Sequence, residues 1–188
     1  MKTFSTTDRD TLRKLAETVA AIASDNQERN QRVIQDWKDL NALKASRPMV
    51  WINEIPWHEM NVDDELTLRC EDDFARTVEG MLRRTIYQWR HLPGDMVVDG
   101  VFETPVAIES TGFGIQEDAD VHVGDNGLRS RGFHGQFEDL KDVEKIKDPV
   151  ITYDADLNKS RHQLLQDAFG DMLDVRKGRI GHQWYALW

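Results

Sequence analysis

Arg47-Pro48-Met49-Val50-Trp51-Ile52, a helical stretch from about Asp72 to His91, and Met96-Val97-Val98-Asp99-Gly100-Val101-Phe102 follow one another in the chain, and their order decides the fold class. The first is a short apolar run behind a proline, which suits the start of a strand buried on both faces. Phe74, Val78, Met81, Leu82, Thr85 and Trp89 then share one face of a helix that Pro93-Gly94 stops. Met96–Phe102 is again β-like. Strand, helix, strand predicts a parallel βαβ unit of an α/β fold, with Trp51 in its core.

On the amino-terminal side, Leu12, Leu15, Ala16, Val19, Ile22 and Ala23 have the spacing of a one-sided helix behind the candidate caps Ser5, Thr6 and Thr7. A second helix is predicted to about Ala45, with Val33, Trp37 and Leu40 inward, so residues 1–45 read as a helical extension ahead of 46–188. On the carboxyl-terminal side, Pro105–Ile108 predicts a short extended piece. Six of the twelve glycines lie between Gly112 and Gly135, which predicts a hairpin or irregular excursion. Helical spacing returns over Glu138–Lys147 and again over Asp154–Phe169, closed by Gly170, and Met172–Arg176 reads as a third strand. The final Trp184, Tyr185, Leu187 and Trp188 need a covering surface, which predicts a truncated chain in preference to a homodimer-capping tail.

Composition narrows the function classes. The chain has 188 residues, 39% hydrophobic and 31% charged, enough apolar surface for a folded core. Its formal charge of −10, from 34 acidic and 24 basic residues, argues against nucleic acid and anionic lipid as partners. A single cysteine, Cys70, forms no internal disulfide or cysteine-based zinc cluster, and no window has the roughly 20 apolar residues of a membrane span. A cytoplasmic protein is the expectation.

Three features in order resemble the uroporphyrinogen decarboxylase superfamily. They are Arg47–Ile52; Met96–Pro105 leading into Gly112-Phe113-Gly114; and Phe133-His134 ahead of Glu138-Asp139-Leu140-Lys141-Asp142-Val143. Met172–Tyr185 is similar to that family's third strand and the turn after it. The resemblance implies a partial (β/α)₈ barrel of the TIM type, about its first three strands, with working groups at the carboxyl ends of the strands. It further implies an N-terminal portion of an enzyme that is inactive alone.

True porphyrinogen decarboxylases carry an arginine-rich motif after the first strand and an aspartate at the exit of the second. Here Glu54 and Glu59 stand in the first place and would repel a polycarboxylate. In the second, Val101 stands at the aspartate's position with Asp99 and Glu103 beside it. The chain is more similar to the cobamide-dependent methyltransferase branch, whose zinc ligands would fall beyond Trp188. That implies zinc and a corrinoid for the full-length parent, none held by this segment, and a small molecule or a corrinoid protein as partner. Porphyrinogen decarboxylation with a remodelled site is one alternative, and a non-catalytic fragment or self-associating binding module is the other.

Candidate catalytic residues are Glu54, His58 and Glu59 on the first strand's exit, with Asp99 and Glu103 from the alignment. Asn53, Trp57 and His182 are candidate substrate contacts. A carboxylate beside an imidazole could do acid–base work at a strand end, and a solvated loop is the bland alternative. His122 and His134 lack a second histidine at helical spacing, so no metal pair is expected. Gly112-Phe113-Gly114 reads as backbone geometry and not as a phosphate loop.

Overall fold

The computed structural model describes residues 3–44, 47–124 and 129–179. They divide into two compact units, Met1–Val106 with Asp156–Trp188, and Ala107–Ala155. The fold mixes helix and strand, and the strands of the described residues pair in three two-stranded sheets. Among those residues, no helix is long and apolar enough to cross a membrane.

The larger unit opens with α1 (Thr6–Asp25), where Ser5 Oγ accepts the Asp8 amide at 3.0 Å, and continues with α2 (Gln27–Asn41). In α3 (Asp73–His91), the Asp72 carboxylate caps the amides of Phe74 and Ala75. Leu12, Ala16 and Val19 of α1 recur at helical spacing and are buried in one cluster with Ala75, Val78, Leu82 and Ile86 of α3. The first helix therefore shares the main core.

Strand β1 (Val101–Thr104) and the final strand, β6 (Asp174–Lys177), pair in parallel, with Val101 opposite Asp174 and Glu103 opposite Arg176. Helix α4 (Ala155–Phe169) precedes β6 and supplies Leu165, Ala168 and Phe169 to the cluster. Phe102 meets Phe169 edge to face at 5.4 Å.

The smaller unit contains an antiparallel pair of β2 (Ile108–Ser110) with β5 (Ile151–Tyr153), and a hairpin of β3 (Ala119–Val123) with β4 (Arg129–Phe133). That hairpin matches one of the forms expected from the glycine content. None of the unit's described residues is buried, and Gly112 and Gly114 adopt φ of 65° and 79°, conformations that glycine tolerates best.

Two of the three predicted barrel strands are parallel neighbours, and the third is absent. Residues 47–52 form no strand. Arg47 makes a two-pronged ion pair with Asp95, while the Val50 amide bonds an Asp95 carboxylate oxygen at 2.8 Å and the Asp95 amide bonds the Val50 carbonyl at 2.9 Å. The segment is thus tied chiefly to Asp95, with Asp36 bonding Arg47 and Gln88 the Ile52 carbonyl, instead of to a ladder. Trp51, expected in the core, is 56% exposed.

The strand expected over 96–102 begins only at Val101 because α2 takes its earlier carbonyls. Arg29 bonds Gly94 and Met96, Trp37 bonds Asp95, and Asn30 bonds Val98 at 2.6 Å. The helix expected over Glu138–Lys147 is a 3₁₀ turn, Leu140–Lys145, capped by Asp139. Its Leu140 and Val143 are exposed, so no apolar face is covered to extend it.

Candidate functional site

Alternation along β1 and β6 separates two chemistries. Phe102, Thr104 and Val175 point into the helix-covered side and are buried, whereas Val101, Glu103, Asp174 and Arg176 share the other face. That face is ionic: Arg176 pairs with Asp174 on the same strand at 2.6 Å. Just past the end of β6, Arg179 reaches back to Glu103 at 2.9 Å. A carboxylate and a guanidinium therefore meet at the carboxyl ends of two parallel strands.

Beneath this pair, the buried Thr104 hydroxyl lies 3.1 Å from His162 Nδ1 on α4, which fixes the helix against the strand's last residue. Gly178 allows the turn: a Cβ there would collide with the Thr104 carbonyl oxygen. His162 and Arg179 escaped sequence reasoning. A lone histidine inside a helix and an arginine after a strand carry no spacing signal, and only the parallel register brings them beside Thr104 and Glu103.

Glu103 occupies the strand-end position expected of it. Asp99 does not, because it precedes β1 and its carboxylate accepts the Val101 amide at 3.2 Å, at the strand's start. On the other candidate segment, Asn53 and Glu54 are exposed, and His58 Nε2 lies 3.4 Å from Glu59 Oε1. Trp57 is half-buried, its ring edge-on to Tyr87 at 6.1 Å with Arg84 over it at 5.3 Å. No hydrogen bond or ion pair among the described residues joins residues 53–59 to Asp99 or Glu103, so the predicted set divides into separate places. His182 lies outside the described residues.

The described residues do not fit a zinc site. No three His, Cys, Asp or Glu side chains among them are placed to hold a metal. Burial pushes the Cys70 thiol up to about 12, and the neighbouring Glu79 adds to the shift, so a thiolate is disfavoured. The surrounding carboxylates are structural. Asp8 accepts the amides of Glu71 and Asp72, and Glu79 accepts those of Arg69 and Cys70 together with Arg83 Nε. Burial raises Glu79, but those amides and the guanidinium outweigh it and hold the carboxyl below its ordinary value.

Comparison with family models, with curated proteins and with solved structures gives no match to this chain.

Proposed function

We propose that the chain forms the opening part of a (β/α)₈-type barrel of the uroporphyrinogen decarboxylase superfamily, on its cobamide-dependent methyltransferase-like branch. In this reading the uncovered face of β1 and β6 lines the small-molecule site. The observation that supports it is the parallel pairing of β1 with β6 behind α4, which leaves an ionic strand face ending in Glu103 and Arg179. Barrel enzymes place their working groups at that end of their strands.

The pair suits orientation of a polar substrate. Arg179 offers a guanidinium fork to a carboxylate, and Glu103 offers an acceptor to an amine or hydroxyl. Thr104 and His162 hold the strand end against α4 and act as positioning residues. The described residues contribute binding and orientation, and activation of a methyl acceptor is no part of their chemistry.

The test is methyl transfer from methylcobalamin to a small thiol by the full-length gene product, followed by the visible absorbance change on demethylation, with Glu103→Gln beside wild type. Turnover that falls about tenfold or more in the variant, the effect of losing one charged contact of about 1.5–3 kcal/mol, supports the reading. Absent turnover, or an unaffected Glu103→Gln protein, overturns it.

A further inference from the structure

A hollow of about 480 Å³ opens between α1, α3 and the segment ahead of α3. Its cations are Lys14, Arg69, Arg83 and Arg90, and its anions are Asp10 and Glu65. Four positive and two negative charges line it, and with Glu79 paired to Arg83 behind the wall the local balance is +1, within a chain of formal charge −10.

These charges are unequally spent. Glu65 is occupied by Arg90 at 2.9 Å and His91 at 2.6 Å. Arg83 gives Nε to Glu79 and Nη1 to the Glu65 carbonyl. The side chains of Lys14 and Arg69 donate to no protein group among the described residues, although both line the hollow. Leu15, Ile86 and the Tyr87 ring supply an apolar part to the same wall. Its size falls within the roughly 300–1,000 Å³ of small-ligand sites, and its lining is more heavily charged than theirs, which selects for a charged ligand.

We propose that this hollow binds a small organic phosphate, with Lys14 and Arg69 holding the phosphoryl oxygens and the Tyr87 ring bordering the organic part. A phosphate monoester carries about −1.5 to −2 at neutral pH, which meets the two charges of Lys14 and Arg69, whereas a monocarboxylate compensates only one of them. Arg69 supplies a planar fork and Lys14 a point charge, a pairing suited to phosphoryl oxygens. Asp10 opposes the ligand, since its carboxylate lines the hollow without a hydrogen-bond partner among the described residues. The proposal does not rest on the strand-end reading.

Calorimetric titration with phenyl phosphate, inorganic phosphate and benzoate at constant ionic strength tests it. Phenyl phosphate is expected to bind with a Kd below about 1 mM, ahead of both other probes. The double variant Lys14→Gln/Arg69→Gln should weaken it by about tenfold to a hundredfold, two charged contacts being lost. Asp10→Asn should tighten binding by about threefold, and Lys159→Gln, outside the hollow, should leave it unchanged. Because neither Lys14 nor Arg69 bonds protein through its side chain, the double variant should keep the wild-type melting temperature. If it does not, the Asp10→Asn result decides alone. No saturable binding, an unaffected double variant, or weaker binding by Asp10→Asn overturns the proposal.

Discussion

Replacing Glu79 by glutamine removes one charge from the most heavily bonded buried carboxylate of the core and leaves its volume nearly unchanged. The native side chain is wholly buried and takes the amides of Arg69 and Cys70 and the Nε of Arg83, all at 2.8–3.0 Å. A carboxamide keeps one acceptor oxygen and turns an NH₂ toward the remaining donors. Hydrogen bonds to a charged group contribute about 1.5–3 kcal/mol each, and stranding a buried cation raises the cost, so a loss of about 3–5 kcal/mol is expected. With a urea slope of about 2 kcal/mol/M, the midpoint should fall by about 1.5–2.5 M.

Tryptophan-monitored urea unfolding reads that shift, and amide exchange should show faster opening at Arg69 and Cys70. Linkage sharpens the expectation. The folded carboxyl lies below its ordinary value of 4.5, so its contribution is complete above that pH and is lost as pH falls through the lower, folded value. The gap between wild type and Glu79→Gln should therefore close on acidification. A midpoint shift below about 0.3 M at neutral pH, with an unchanged slope, would refute the assignment of this carboxylate as the anchor of residues 69–70.

Two further outcomes are expected. The Arg47 guanidinium and then the Val50 amide hold Asp95 at about 2 against an ordinary 3.8, so Asp95→Asn should destabilise the protein above pH 3.8 and progressively less towards pH 2, read from urea midpoints across that range. Gly178→Ala drives a side-chain methyl into the Thr104 carbonyl, a backbone group that cannot swing aside. Overpacking of about 1–3 kcal/mol should lower the Tm by about 3–10 °C, and an unchanged Tm would refute the close approach of the two strand ends.

The helices were legible because their signals are local. The apolar spacing of α1 and α3, the cap at Ser5 and the stop at Pro93-Gly94 act within one or two turns. Strands depend on what pairs with them. Met49–Ile52 has the composition of a buried strand, yet Asp95, more than forty residues away, binds its backbone. Met96 and Val98 likewise present carbonyls to Arg29 and Asn30, and the neighbouring Asp95 presents its own to Trp37, partners whose helical residues give no hint of that task. The site followed the same rule. Glu103 drew attention only through the family alignment, whereas Arg179 and His162 gain meaning only from the register that brings them beside Glu103 and Thr104.

The ionic face of β1 and β6 constrains whatever lies over it. Stripping water from Glu103, Asp174 and Arg176 would cost several kcal/mol per ion, more than an oily layer packed on Val101 would return. That side of the sheet must border a hydrated, high-dielectric space, and a molecule settling there has to bring polar atoms of its own to replace the water it displaces.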